Sequence, residues 1–355
     1  MKKLTSLACT LLGLGLLTGN LPAQDAAAVP YKVLDTTKLM GDGGIDFVTV
    51  DNAGRRVYVP RGGQTFVFDL DSHKYVGAIT NCGGRGVAVD TASHHGFSSA
   101  GKIAMFDTET MQKLKDIDVG GRPDGIMLEP LTDRIYILSH EAPNLTAIDP
   151  KDGLVTGTLQ VGGAVEQSQS DGQGKLYMAI EDEKKIAVVD VKTLKLITKY
   201  DLGDGAGEPA GLGLDVKNHL LFAMCAKPDV CVVVNADDGK VLGTLPLGNG
   251  TDGGGFNPAT MEAWSSQRDG TLTIIKENSP TNFAVAQTVQ TKAGCKTSAL
   301  DAKNNQIILI CTERLPQAAP ATNAPAPATN APAGQRRGGG GRGGPGNLDV
   351  LWVGR

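Results

Sequence analysis

The chain is poor in the residues that build redox, zinc and aromatic-rich sites. It has 6 cysteines, 5 histidines and 2 tryptophans among 355 residues. No two cysteines have the CxxC spacing, and the Cys and His spacings do not suggest a zinc site. The absence of a GxSxG sequence argues against the nucleophile elbow of an α/β-hydrolase. A formal net charge of −4 lacks the basic excess that is typical of nucleic-acid-binding chains.

An apolar run long enough to span a bilayer is also lacking. The first residues carry two lysines, a short apolar segment at 7–17 and the sequence NLPAQ, in which Ala23 is a small residue suited to cleavage. This order predicts a signal peptide over 1–23 and export to the periplasm or the medium. Cys9 does not fit a lipidation signal because it lies inside the apolar segment rather than after it.

Helical periodicity is absent, and a repeat of about 40 residues takes its place. In each copy an apolar stretch ends in an acid or Asn, and a short turn and a second apolar stretch follow, as in GIMLEPLTDRIYIL and GLGLDVKNHLLFAM. The seven anchor positions, spaced by 39, 39, 42, 44, 42 and 44 residues, are Asp51, Asp90, Glu129, Asp171, Asp215, Asn257 and Asp301.

Most copies continue with two further strand-like runs, such as LTAID and GLVTGTLQVGG. Four short strands per period, separated by turn residues, are typical of a β-propeller blade. The sequence therefore predicts an all-β fold, a seven-bladed β-propeller, forming a single domain over 24–355.

The last blade is interrupted and lacks its fourth strand. After Asp301 the chain gives two strands and then a Pro-, Ala-, Gly- and Arg-rich run at 315–347, which we expect to be a disordered loop insertion. The segment LDVLWV then fits a third strand, and YKVLDTTKLMG near the other end fits the missing fourth. We predict that blade 7 combines 31–41, 295–314 and 348–355, so that the N-terminal strand closes the ring without a free sheet edge.

These repeats resemble a known group of propellers. RPDGIMLEPLTDRIYIL followed by LTAIDPKDGLVTGTLQVGG, and EPAGLGLDVKNHLLFAM followed by VVVNADDGKVLGTLPLG, are similar to the YVTN-type (YncE-like) seven-bladed propellers of exported bacterial proteins. The resemblance covers 31–314 and 348–355. It implies a periplasmic or surface propeller without a uniform catalytic constellation, and such a fold does not fix the ligand.

Two blades depart from the pattern of that family. The fourth blade has VEQSQSDGQG where an apolar first strand is expected, and the sixth has TDGGGFNPATMEAWSS. We expect these blades to pack less tightly and to leave space near the central channel. The two tryptophans do not repeat, which disfavours a quinone-cofactor propeller.

One position in each repeat, five residues before the anchor, is predicted to line the mouth of the central channel. Six of these seven positions are charged, and the seventh is Ala210. The charged positions, which we call the ring, are Asp46, Arg85, Asp124, Glu166, Asp252 and Lys296. Converging charges of this kind could bind a cation or a polar ligand, or they could pair with one another across a hydrated channel.

The ring leads to three functional hypotheses. We first expect a non-catalytic exported binding or scaffold protein, a monomer without a cofactor, that holds a partner protein, an envelope polymer or a small polar ligand on this face. A metal-assisted, lactonase-like lyase or hydrolase at the channel mouth is the alternative, although Arg85 and Lys296 would oppose a divalent cation. Nucleic-acid binding through Arg336, Arg337 and Arg342 of the insertion is the second alternative.

We assign no catalytic residue and no metal ligand from the sequence. His140, in the loop SHEAPN, is the one histidine predicted near the ring.

After signal removal five cysteines remain, so at least one thiol lacks a partner within the chain. Cys225 and Cys231 flank AKPDV in one predicted hairpin, and we expect a disulfide between them. Cys311, which has no equivalent partner, is the expected odd thiol.

Overall fold

The computed structural model describes residues 29–314 and 345–355, so the predicted signal peptide and most of the predicted insertion lie outside the described residues. Tyr31–Arg355 form one compact unit. It consists of seven four-stranded antiparallel sheets arranged as a β-propeller, which confirms the predicted fold class. No helix in the described ranges is long and apolar enough to cross a membrane.

The strands follow the predicted repeat, four to a blade, and blades 1 to 6 run consecutively from β2 to β25. In chain order the first thirteen are β1 (Lys32–Gly41), β2 (Thr49–Asp51), β3 (Arg56–Arg61), β4 (Gln64–Asp69), β5 (Tyr75–Thr80), β6 (Val87–Asp90), β7 (His95–Ser99), β8 (Ile103–Asp107), β9 (Lys113–Ile117), β10 (Pro123–Glu129), β11 (Arg134–Ser139), β12 (Leu145–Ile148) and β13 (Val155–Leu159).

The remaining strands complete blades 4 to 7. They are β14 (Val165–Ser170), β15 (Lys175–Ile180), β16 (Lys185–Asp190), β17 (Lys195–Asp201), β18 (Glu208–Asp215), β19 (Leu220–Ala226), β20 (Val230–Asn235), β21 (Val241–Pro246), β22 (Thr251–Asn257), β23 (Glu262–Gln267), β24 (Thr271–Ser279), β25 (Asn282–Gln290), β26 (Cys295–Asp301), β27 (Gln306–Arg314) and β28 (Gly346–Gly354).

Blade 7 joins the two ends of the described chain, as the repeat pattern predicts. Its strand order is β1-β28-β27-β26, with β1 outermost. Lys32 lies opposite Gly354, and Gly41 lies opposite Gly346. The strand β28 begins at Gly346, two residues before the predicted start, because it continues its pairing with β27 as far as Arg314.

The repeated anchor residue closes the turn between the first and second strands of each blade. Asp51, for example, accepts hydrogen bonds at Oδ1 from the backbone N–H groups of Ala53 and Gly54, at 3.1 and 2.8 Å. All seven anchors accept a backbone N–H two residues further along the chain. A side-chain acceptor that satisfies its own turn explains why this position is Asp, Glu or Asn.

Glycines in blades 5 and 6 allow neighbouring inner strands to approach closely. A Cβ on Gly211 would lie 2.6 Å from the carbonyl carbon of Gly253, so any larger residue would push these strands apart. In blade 4 the polar side chain of Gln167 donates to the Gly254 carbonyl at 2.8 Å and accepts from the Leu212 N–H at 3.2 Å. The expectation of loose packing at these strands is therefore wrong, and the expected space near the central channel stays a prediction.

The cysteine pairing also differs from the prediction. Cys225 lies opposite Val230 and Cys231 lies opposite Met224, so the two side chains point to opposite faces of the sheet and pack in different cores. Both remain buried thiols. The disulfide instead joins Cys295 and Cys311, which lie directly opposite each other on β26 and β27.

Candidate functional site: the charged ring

Four of the six ring residues lie in irregular segments of the inner strands. The pairing register shifts around Asp124 in β10, Glu166 in β14, Asp252 in β22 and Lys296 in β26, and a shift of the same kind occurs at Ala210 in β18. A β-bulge bends its strand and re-aims a side chain. The bulges therefore turn these ring residues out of the regular in-and-out alternation of the sheet.

Hydroxyl groups from neighbouring strands hold the backbone of the ring. Thr297 Oγ1 donates to the carbonyl of Asp46 at 2.6 Å. Ser266 Oγ donates to the carbonyl of Lys296, and Ser99 Oγ donates to the carbonyl of Asp124. Because the two serine bonds and the threonine bond each cross from one blade to the next, they fix the ring residues relative to one another.

The ring side chains pair with each other in alternating charge. Arg85 Nη1 lies 2.8 Å from Asp46 Oδ2 and 2.7 Å from Asp124 Oδ1. Lys296 Nζ lies 2.5 Å from Asp46 Oδ1 and 3.6 Å from Asp252 Oδ2. Asp46 is thus shared by two cations, and Arg85 and Lys296 each bridge two acids from different blades.

Two residues outside the predicted set extend this chain of charges. Arg268 donates to Asp252 Oδ2 at 2.8 Å. His140 Nε2 lies 2.8 Å from Asp124 Oδ2 and 2.9 Å from Glu166 Oε1. The resulting network of eight groups, in spatial order, is Arg268, Asp252, Lys296, Asp46, Arg85, Asp124, His140 and Glu166.

The repeat pattern of the sequence places His140 near the ring by its loop but does not single out Arg268. Position 268 follows β23 directly, just as His140 follows β11, so both come from loops between second and third strands. Those loops share a face with the ring. A search for charged residues at this second repeat position would have found both.

Burial and charge act against each other on the pKa values of this network. Burial raises the pKa of Asp46, and the nearby ammonium of Lys296 only partly offsets this effect. Burial also tends to raise the pKa of Asp124, but the contact with His140 and the charge of Arg85 lower it overall. Burial together with the charge of Asp124 raises the pKa of Glu166 to about 7, despite the contact with His140.

His140 is held from both sides of its ring. Burial lowers its pKa, but the contacts with Asp124 and Glu166 outweigh this and raise the pKa to about 9. The guanidinium of Arg122 contacts Nδ1, and a guanidinium can only donate. The Arg122 guanidinium therefore favours the form of the imidazole in which Nδ1 accepts and Nε2 carries the proton between the two carboxylates, and it acts against the raised pKa.

This arrangement places two chemically different regions next to each other on one face. The central ion pairs form a preorganised polar surface of both charge signs. At the end formed by blades 3 and 4, two carboxylates and an imidazole converge, and the Glu166 carboxyl changes its protonation near neutral pH.

A scan against protein-family models and a search of the curated proteins both found no match to this chain.

Proposed function

We propose that the protein is an exported, non-catalytic binding or scaffold protein of the YncE-like kind, and that it binds a polar partner on the ring face. The partner is a protein, an envelope polymer or a small polar ligand that carries charged groups. The observation that carries this proposal is the network of eight alternating charges on one face.

A fixed charge network suits recognition because little ordering remains to be done when the partner binds. Asp124 is only 2% exposed and its neighbours are tied by hydroxyls of adjacent blades. Two cations beside these buried charges are more open: the side chain of Arg268, at one end of the network, is 57% exposed, and that of Arg122, which contacts His140, is 43% exposed. We infer that the partner contacts these two exposed guanidinium groups first and is aligned by the buried charges between them.

The test compares two double variants of the mature chain. Arg122→Gln with Arg268→Gln removes both exposed cations of the ring face. The matched control, Lys151→Gln with Lys192→Gln, removes two exposed cations from turns between third and fourth strands, on the opposite face. The probes are isolated cell-wall sacculi in a sedimentation assay and a panel of dicarboxylates and amino acids in a thermal-shift assay.

The expected result is binding by the wild-type chain and by the control, with at least about a tenfold loss in the ring variant, as the loss of two charge-assisted contacts requires. Equal binding by both variants contradicts the proposal. So does the absence of binding of every probe to the wild-type chain.

A metal-assisted lyase or hydrolase is the second candidate. The observation that favours it is the convergence of Asp124, His140 and Glu166, whose ligand atoms lie within 4.8 Å of one another, since a metal ion held there would polarise a carbonyl group of a substrate. This candidate expects metal-dependent opening of a lactone by the wild-type chain and its loss in Glu166→Gln. Turnover unchanged in that variant would exclude a role for this carboxyl.

A further inference from the structure

We propose that Asp124, His140 and Glu166 bind one divalent transition-metal ion, through Asp124 Oδ2, His140 Nε2 and Glu166 Oε1. Water fills the remaining coordination positions. The site lies within the ring face, but metal binding does not depend on which partner that face holds or on whether a reaction takes place there. The two proposals therefore fail separately.

The three ligand atoms have the separations that one ion requires. They all lie within 4.8 Å of one another, and Nε2 is 2.8 and 2.9 Å from the two carboxylate oxygens. Ligand atoms about 2.1 Å from a metal and at right angles to each other lie about 3 Å apart. Only small side-chain shifts are needed for an ion to enter between them.

The hydrogen bonding of His140 supplies an independent reason for a bound ion. Its side chain is 10% exposed, and Nε2 lies 2.8 and 2.9 Å from carboxylate oxygens of two different blades without being well aligned with either of them. A single N–H on Nε2 points in one direction and cannot be directed at both oxygens. A metal ion between the three atoms would satisfy Nε2 and both carboxylates together.

The surrounding chain fixes these ligands. Arg85 engages Asp124 through Oδ1, so Oδ2 remains directed at the imidazole. Ser139 Oγ accepts from the Arg122 N–H at 2.7 Å and donates to the Glu141 carbonyl at 2.7 Å, which shapes the loop on either side of His140. Gly121 has φ +64, and a Cβ there would lie 2.6 Å from Ser139 Oγ, so this tight approach requires glycine.

The donor set selects the class of metal. Imidazole nitrogen with carboxylate oxygen suits Zn²⁺, Mn²⁺, Fe²⁺ or Co²⁺, whereas Ca²⁺ and Mg²⁺ prefer oxygen alone. Two carboxylates balance the charge of a divalent ion. Arg85 opposes the ion, but Asp46 and Asp124 already share its charge.

Arg122 and a bound metal favour different positions of the proton on the His140 imidazole. Arg122 favours a proton on Nε2, because its guanidinium donates to Nδ1. A metal on Nε2 leaves the ring proton on Nδ1, where it would face the donors of Arg122. Arg122 must then move away, and it can do so because its side chain is 43% exposed and lies 3.6 Å from the exposed carboxylate of Glu141. Removing the guanidinium should therefore tighten metal binding.

The experiment uses the mature chain after treatment with a chelator. Isothermal titration with Zn²⁺ and Mn²⁺ measures stoichiometry and affinity, and visible absorption of the Co²⁺ complex reports nitrogen and oxygen ligation. We expect one ion per chain, at least about a hundredfold weaker binding in His140→Ala and in Glu166→Gln, and several-fold tighter binding in Arg122→Gln. Ca²⁺ and Mg²⁺ should not compete at equal concentration.

His219→Ala is the matched control, because His219 also pairs with a carboxylate, Asp237, but in a turn at the opposite end of the blade. It should bind the metal like the wild type. Circular dichroism melts without metal establish that each variant is folded. The proposal is overturned by a wild-type chain that binds no stoichiometric ion, by folded His140→Ala that keeps its affinity, or by an equal loss in His219→Ala. Loss of sacculus binding with metal affinity intact contradicts only the proposed function.

Discussion

At the scale of single residues, the fold places several ionisable groups where water cannot solvate them. Glu277 and Asp215 are 3% and 1% exposed and meet between blades 5 and 6, and Asn218 Nδ2 donates to Glu277 Oε1 at 2.6 Å. Burial raises the pKa of Glu277 to about 7, and the charge of Asp215 acts in the same direction, although the hydrogen bond from Asn218 lowers the pKa. The folded chain therefore keeps a proton here that the unfolded chain would release.

Because of this proton, the stability of the folded chain changes with pH in a direction that can be predicted. A carboxyl whose pKa is raised from 4.5 to about 7 on folding stabilises the folded state at low pH, and that contribution is lost as the pH rises through 7. Glu277→Gln keeps the bond from Asn218 and removes the charge. We expect it to raise the melting temperature by a few degrees at pH 8 and to change it little at pH 5.

Differential scanning calorimetry at both pH values checks this expectation. Glu109→Gln, a change at an exposed carboxylate, is the control and should leave both melting temperatures unchanged. A Glu277→Gln chain that melts below the wild type at pH 8 would show that the carboxylate itself is stabilising.

At the scale of strands, the seven turns and most blade boundaries follow from local sequence. The anchor acids, the period of about 40 residues and the N-terminal fourth strand predicted the sheets correctly, because each depends on short-range patterns of apolar and turn residues. The packing of the first strands of blades 4 and 6 and the pairing of the cysteines were predicted wrongly. Both depend on which residues lie opposite each other in neighbouring strands, and the spacing of residues along one strand does not contain that register.

The boundary of β28 changes the design of a deletion test. Gly346 and Asn347 pair with Arg314 and Glu313, so a deletion of the insertion has to end at 344. We expect removal of 316–344, with a short Gly-Asn turn in its place, to leave the melting temperature within about 2 °C, since loop length alone has a small energetic effect.

Truncation after Asn347 should have the opposite outcome. It removes Trp352 and Val350, which are fully buried in the core between blades 7 and 1, and it separates β1 from β27 and β26 in the sheet of blade 7. We expect a chain that does not melt cooperatively in circular dichroism. A truncated chain with a wild-type melt would refute the assignment of this strand to blade 7.

At the scale of the whole molecule, closure of the ring depends on the first described residues. Tyr31 donates from its hydroxyl to Glu262 Oε2 at 2.9 Å, and its backbone N–H donates to Gln287. The Arg355 guanidinium lies 4.2 Å from the centre of the Tyr31 ring, a favourable cation–π contact. Both ends of the described chain thus bind blade 6 as well as each other.

Removal of the chain up to residue 36 should open this closure. It takes away the first half of β1 and exposes the edge of β28, and an unprotected apolar edge strand invites pairing with another chain. We expect a lower melting temperature and concentration-dependent oligomers in size-exclusion chromatography with light scattering. A Tyr31→Phe chain loses only the hydroxyl bond to Glu262 and should elute like the wild type.

The sequence by itself determined the number of blades, the strand order and six charged positions around one face, because all of these recur with a regular period. Only the tertiary structure decided that these charges pair in one alternating network, that Arg268 and His140 join it, and that Cys295 meets Cys311. The physical reason is that ion pairs, metal ligands and disulfides depend on distances of a few ångströms between blades. Those distances are fixed by bulges, hydroxyl bonds and close-packed glycines, which act only after the ring has closed.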